Sequence, residues 1–205
     1  MKDDVSCLTP LGVMVLALLR EDDMHPYEMI RLMRQRHDDR IVPITNGTVY
    51  HTVSRLQKWG LLAEVGVDRD GNRPERTTYT LTDAGDAAVV SWVRRELPAI
   101  DRPAEFRVAL AEAHNLSREE SLALLHARLV ALESDLEVYR VGREKAVAGG
   151  TLGQYLVEVD RQYELLRADR DWLAEFVTRL AHPDFVWGAH EKTDRYLAQR
   201  EAARQ

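Results

Sequence analysis

From Arg40 to Ala63 the chain carries no Asp or Glu, while Arg40, Arg55 and Lys58 are basic and His51 can become so. Acidic groups stand on both sides, with Glu21, Asp22 and Asp23 before the stretch and Asp68 and Asp70 after it. A surface kept clear of like charge suits an anionic partner such as a phosphate backbone. A solvated helix face that happens to lack acids has the same composition. Catalysis has no comparable foothold. The seven His are scattered, and His25, His37 and His51 lack the spacing of metal ligands. There is no His-Glu-x-x-His, no Gly-rich phosphate loop and no Gly-x-Ser-x-Gly elbow. His37-Asp38-Asp39 reads as a solvated helix end. The single cysteine, Cys7, rules out an internal disulfide and a Cys-based zinc cluster. Beside an apolar helix it reads as a packed thiol. No metal, cofactor or enzymatic activity is expected.

The elements that must position these residues are legible in outline. Leu11, Val13, Met14, Val15, Leu16, Leu18 and Leu19 crowd too densely for a surface helix. They predict a buried first helix, with Thr9 as N-cap and Pro10 at its first position. A second helix starts at Pro26, runs through Tyr27, Met29, Ile30 and Met33, and is expected to end around His37 to Arg40, before Pro43. A third follows Thr45-Asn46, either of which can cap it. Its apolar stripe is Val49, Val53, Leu56 and Trp59, and its other face carries Thr48, His51, Ser54, Arg55 and Lys58. Small hydrogen-bonding side chains toward its N-terminal half suit a groove. Gly60 is the stop signal. The period then turns strand-like over 61–67 and 77–81, around a polar loop with a turn signal at Asp70-Gly71. Three short helices followed by a two-stranded hairpin is the layout of a winged helix-turn-helix. A fourth helix runs from Thr82 to about Leu97, and Pro98 and Pro103 mark a joint.

Beyond that joint the pattern changes to long helices. Ser117 with Glu120 forms a capping-box signature. Leu122, Leu125, Leu129, Leu132, Leu136 and Tyr139 then repeat at alternate steps of three and four, the spacing of a coiled-coil seam. After Gly149-Gly150 a second long helix is expected to carry Leu152, Val159, Leu166, Leu173 and Leu180 at every seventh position, with Tyr155 and Phe176 between them. Two such helices can satisfy one seam against each other. Val130, Val138, Tyr163, Leu165, Trp172 and Val177 fall outside it, and that surplus predicts a homodimer. The fold class expected is therefore mainly α, with a winged helix-turn-helix and two-stranded β wing over 1–97 and an all-α dimerisation domain over 98–205. Leu122, Leu125, Leu129, Leu132, Leu166, Leu173 and Phe176 are the candidate dimerisation residues.

Composition sets outer bounds. The 205 residues are 45% hydrophobic and 30% charged, which excludes a disordered or collagen-like chain. The net charge of −6 gives no support to bulk nucleic-acid affinity, so any such affinity must be local. No apolar run reaches membrane-spanning length, and no export signal is evident at the N-terminus. A cytoplasmic protein is the default expectation.

Leu8-Thr9-Pro10-Leu11, His25-Pro26-Tyr27-Glu28-Met29, Asn46-Gly47-Thr48-Val49-Tyr50, Arg55-Leu56 and Gly60-Leu61-Leu62 together resemble the PadR family of bacterial transcriptional regulators. The stretch from Arg73 to Gly85 resembles that family's wing and the start of its next helix. The resemblance covers roughly residues 5 to 90. Two positions depart from it, Pro26 where the family commonly has Gly and His51 where it often has Pro. It implies a dimeric winged-helix repressor, usually released from an operator by a small molecule or another signal.

On that reading the third helix enters the major groove, with Thr48, His51, Ser54 and Arg55 facing it and Lys58 on a phosphate. Tyr50 serves either contact or packing. Wing residues Arg69, Arg73 and Arg76 reach flanking phosphates or the minor groove. Trp92, Tyr155, Tyr163 and Trp172, with Trp187 and Phe176, either fill core or line a pocket for a small-molecule effector between the domains or at the dimer interface. The expected partners are double-stranded DNA, a second copy of the chain and such an effector, with no membrane. The rival reading is a winged-helix protein–protein interaction module.

Overall fold

The computed structural model describes residues 8–68, 76–188 and 194–204. Among them the elements run α1 (Pro10–Glu21), α2 (Pro26–Gln35), α3 (Asn46–Lys58), β1 (Leu62–Asp68), β2 (Arg76–Leu81), α4 (Asp83–Glu96), α5 (Pro103–Ala111), α6 (Arg118–Ala148), α7 (Val157–Ala181) and α8 (Asp194–Arg204). The chain is mainly α, with a winged helix-turn-helix followed by further helices. It divides into two compact units. One takes in the described parts of 1–96, 102–115 and 189–205, and the other 97–101 and 116–188. Two segments expected with the second domain thus join the first unit, for reasons that lie in their side chains. Phe106, Val108 and Ala109 of α5 are buried, and the helix packs on α1 and α4. The α8 helix packs on α2 through a buried ion pair, Arg200 Nε to Glu28 Oε1 at 2.8 Å, and Arg200 Nη2 donates to the Asp23 carbonyl oxygen at 3.1 Å.

In the first unit, α1 is the central rod. Thr9 Oγ1 accepts the Gly12 N–H at 3.2 Å, Pro10 occupies the first turn, and every residue from Gly12 to Leu19 is buried. It packs against α3, α4 and α5. Helix α2 starts at Pro26, with the His25 ring nitrogen Nδ1 accepting the Glu28 N–H at 3.0 Å. It stops at Gln35, short of the expected end. His37 adopts φ 62°, a left-handed conformation costly for a non-glycine residue, and the chain re-enters as a single 3₁₀ turn over Asp38–Arg40. The Arg36 guanidinium grips both Glu21 oxygens at 2.6 and 2.8 Å, tying the end of α2 to the end of α1.

The wing is an antiparallel pair, Leu62 opposite Leu81 and Ala63 opposite Thr80, with a register shift between Glu64 and Gly66. A single residue from before α2 extends it: Met24 and Tyr79 exchange backbone hydrogen bonds at 3.1 and 3.0 Å. At the base of the wing Gly85 touches the strand entry. A Cβ there would lie 2.0 Å from the Leu61 carbonyl oxygen, so only glycine lets α4 approach. Thr82 completes the joint, its hydroxyl donating to the Gly60 carbonyl oxygen at 2.8 Å and accepting the Gly85 N–H at 3.1 Å.

The second unit is an antiparallel hairpin of α6 and α7. Leu125, Leu132 and Leu136 of α6 and Leu166, Leu173, Val177 and Leu180 of α7 are buried along it. Arg128 is 2% exposed, pairs with Asp169 at 2.8 Å and donates to the Ala99 carbonyl oxygen. Near the open end Arg118 donates to the carbonyl oxygens of Leu180, His182 and Phe185, a cation where the exposed carbonyls at the end of α7 place partial negative charge. Helix α7 starts later than the seven-residue spacing predicts. Gly153–Tyr155 form a 3₁₀ turn, and Leu152 and Tyr155 lie outside the helix and exposed. The seventh-residue pattern ran on past the helix because Gly150, at φ 80°, and Gly153 set the chain into a turn first.

Candidate nucleic-acid interface

Helix α3 is built as an exposed reader on a buried stem. Thr45, rather than Asn46, is its N-cap. The Thr45 hydroxyl accepts the Thr48 N–H at 3.1 Å and the Thr48 hydroxyl accepts the Thr45 N–H at 3.0 Å, a reciprocal capping box. Val49, Thr52, Val53 and Leu56 are buried, while Thr48, Tyr50, His51, Ser54 and Lys58 are exposed. The expected stripe holds except at Trp59, which is the C-cap residue and only half-buried. Tyr50 is 51% exposed, so its ring stands on the polar side of the helix and not in the core beside Val49. Arg34 Nη2 donates to Asn46 Oδ1 at 3.3 Å, fixing α2 to the first turn of α3.

Arg55 differs from its neighbours. Its Nη2 donates to Thr9 Oγ1 at 3.2 Å, and its guanidinium carbon sits 5.1 Å from the centre of the Trp59 ring. It is half-buried, a cation held over an aromatic face and against the cap of α1. Thr9 therefore accepts from both Gly12 and Arg55, and the end of α3 is fastened to the start of α1. The link joins residues 46 apart and has no local sequence signal.

Of the wing arginines, Arg69 and Arg73 lie outside the described residues. Arg76 opens β2, opposite Asp68 in the ladder. Nearer the base, burial pushes the Tyr79 hydroxyl above its ordinary pKa, with Glu64 adding to the rise.

Residues 15–90 match the family model described as the transcriptional regulator PadR-like family. Through this segment the chain is similar to the PadR-like family of transcriptional regulators. Among solved structures, Bacillus subtilis PadR in complex with operator DNA is 22% identical at a TM-score of 0.41, over 83% of this chain and 98% of that one. The Streptococcus mutans protein smu.1604c is 17% identical at a TM-score of 0.38, over 82% and 98%. Bacillus subtilis PadR in complex with p-coumaric acid is 20% identical at a TM-score of 0.37, over 89% and 99%. No curated protein matches the chain in sequence.

The other candidate residues of this PadR-like chain separate into two groups. Leu125, Leu132, Leu166 and Leu173 are consumed by the seam inside one chain, whereas Leu122 and Leu129 stay half-buried. Val177, expected outside the seam, is 7% exposed and belongs to it. Phe176 stacks on Trp172, with ring centres 5.3 Å apart, and meets Phe185 and Trp187 at 6.3 and 6.4 Å. Trp187 Nε1 donates to the Leu116 carbonyl oxygen at 3.1 Å. Of the residues expected outside the seam, Val130, Val138, Leu165 and Trp172 are outward on the hairpin. Trp92 is 1% exposed in the core of the first unit, while Tyr155, Tyr163 and Trp172 belong to the second; Tyr155 is 70% exposed and Tyr163 half-buried. Among the described residues no group of three or more His, Cys, Asp or Glu could hold a metal ion. No described helix is long and apolar enough to cross a membrane.

Proposed function

We propose that the chain acts as a homodimeric repressor on an inverted-repeat operator and is released from it by a small molecule. The observation that carries this reading is the acid-free, exposed face of α3, with Thr48, Tyr50, His51, Ser54 and Lys58 outward on a helix whose opposite side is core. Thr48, His51 and Ser54 meet base edges in the major groove, and Lys58 and Tyr50 meet phosphates. Arg55 contributes at the edge of the same face, from the half-buried position where Thr9 and Trp59 hold it. Arg69, Arg73 and Arg76 add flanking phosphate or minor-groove contacts from the wing. The dimer forms on the outward hairpin surface of Val130, Val138, Leu165 and Trp172, with Leu122 and Leu129 at its margin. Apolar area of this kind is stabilised by a second copy of itself. Two readers then face successive turns of one duplex, about 34 Å apart.

The test is a gel shift on a duplex from upstream of the protein's own gene, with an inverted repeat, over a range of salt. Binding that weakens steeply with salt, and tenfold or more on scrambling the repeat, is expected for a specific operator. Binding that ignores salt and sequence overturns the reading in favour of a protein-interaction module.

A further inference from the structure

The first unit encloses a cleft of about 800 Å³ that none of the proposed DNA contacts lines. Its apolar wall comes from Met14, Leu18, Leu81 and Ala111. Its polar side is dominated by carboxylates, brought together from four separate elements: Glu21 of α1, Asp38 from the turn after α2, Asp83 and Asp86 of α4, and Glu112 just after α5. Two cations line it as well, Arg36 and Arg20, whose buried Nη1 has no hydrogen-bond partner among the described residues. Arg20 pairs with Asp86 at 2.8 Å, and Arg36 with Glu21. His114 also lines the cleft, its Nδ1 lying 3.0 Å from the Ala111 carbonyl oxygen. Among the described residues no cation forms an ion pair with Asp38, Asp83 or Glu112.

Glu112 is the most confined of the three. Its Oε2 accepts the Asn115 amide at 2.9 Å, whereas Oε1 has no donor among the described residues. Its residue surface is only half-buried because the cleft itself admits solvent, yet protein encloses the carboxyl. That enclosure pushes its pKa up to about 7; the Asn115 bond opposes the rise, Glu21 and Asp38 add to it, and Arg36 opposes it. Asp38 is likewise pushed up to about 6 by burial, with Arg36 opposing and Glu21 and Asp39 adding. Asp38 and Glu112 thus hold protons while the two arginines of the cleft pair with Asp86 and Glu21.

We propose that this cleft is an effector site for an organic ammonium ion with an apolar body, its charge seated among Asp38, Glu112 and Asp83 and its body against Met14, Leu18 and Leu81. The role as effector rests on the regulator reading above; the binding itself does not. An anion meets an excess of carboxylates over the two arginines here, and a neutral isostere leaves the carboxyls as they are. An inorganic cation gains nothing from the apolar wall. Entry of the ammonium ion makes the carboxylate forms favourable, so protons leave as it binds. The walls are the ends of α1 and β2, the start of α4 and the turn leading toward α3, so an occupant touches both the base of the wing and the approach to the reader helix.

Titration calorimetry on the full chain tests this, with phenethylamine and tryptamine as probes and phenethyl alcohol and phenylacetate as controls. The amines are expected to bind one per chain and at least about tenfold tighter than either control, with affinity rising roughly tenfold from about pH 6 to about pH 8. The binding heat should differ between buffers of different ionisation enthalpy by the protons released. Glu112→Gln is expected to weaken the amines about tenfold at about pH 8 and to reduce the proton release. If that variant does not fold, Asp38→Asn carries the same expectation. Amines that fail to bind, that bind no better than the alcohol, or that ignore both substitutions overturn the proposal. The gel shift is run in parallel without amine: loss of the DNA shift with intact amine binding overturns only the regulator reading, and the converse overturns only the cleft.

Discussion

The outward face of α3 and the outward face of the α6–α7 hairpin are both exposed, but they differ in what water does to them. On α3 the side chains are hydroxyls, an imidazole, an ammonium and a phenol, all content in solvent, and the absence of carboxylates is what shapes the surface. On the hairpin Val130 and Val138 are each 65% exposed and Trp172 is 40% exposed, apolar area that gains free energy on leaving water. The first surface can wait for its partner indefinitely at no cost. The second is unfavourable until covered. On the proposed reading, the hairpin surface suits a permanent second copy and the α3 surface a salt-sensitive ligand.

The comparison can be broken most forcefully at the seam beneath the hairpin surface. Leu132 is fully buried, and Leu132→Ala is expected to destabilise the fold by about 2–5 kcal/mol in urea melts, far more than any change on either outward face. Next comes the hairpin surface itself. Trp172→Glu with Val138→Glu should convert dimer to monomer in sedimentation at micromolar protein while the helical circular-dichroism signal persists; an unchanged dimer would move the interface elsewhere. On the reader, His51→Ala is expected to lower operator affinity by about 1–3 kcal/mol. Its melting temperature should barely move, because surface substitutions stay within about 0.5 kcal/mol. Lys58→Ala should have a smaller effect, equal on all duplexes, and should reduce the salt slope by about one. The smallest change is one of pH. Glu112 and Asp38 carry raised pKa values in the fold, about 7 and about 6 against 4.5 and 3.8, so the folded state keeps protons that the unfolded chain has released. Stability therefore falls as pH rises through that window. Glu112→Gln should flatten the fall in melting temperature between about pH 5 and about pH 8.

Local signals carried the sequence reading a long way. Thr9-Pro10 and Thr45 sit within three residues of the groups they cap, and α1, α3 and the wing ladder stand where propensity and period place them. The polar face of α3 was legible because periodicity sorts faces without reference to the rest of the chain. What stayed hidden is what depends on distant partners. The Met24–Tyr79 bridge is one residue pair, too short to leave a strand pattern. The tie of Arg55 to Thr9 spans 46 residues, and a basic residue on a helix face looks the same in sequence whether free or fastened. The cleft was invisible for the same reason. Its acids come from α1, the turn after α2, α4 and the end of α5, and no two of those elements share a motif. The second long helix erred differently, because spacing cannot reveal that Gly150 and Gly153 postpone a helix whose leucines keep perfect time.

The buried pair of Arg200 and Glu28 has a consequence for how the molecule is made. Glu28 leaves the ribosome early, as part of α2, and its counter-ion follows only after the whole hairpin has been synthesised. The first unit is therefore completed by a helix from the far end of the sequence. Until α8 arrives, the Glu28 carboxylate lacks the guanidinium that pairs with it in the finished fold. Nascent chains halted before α8 should leave the surface of α2 that α8 covers open to proteolysis.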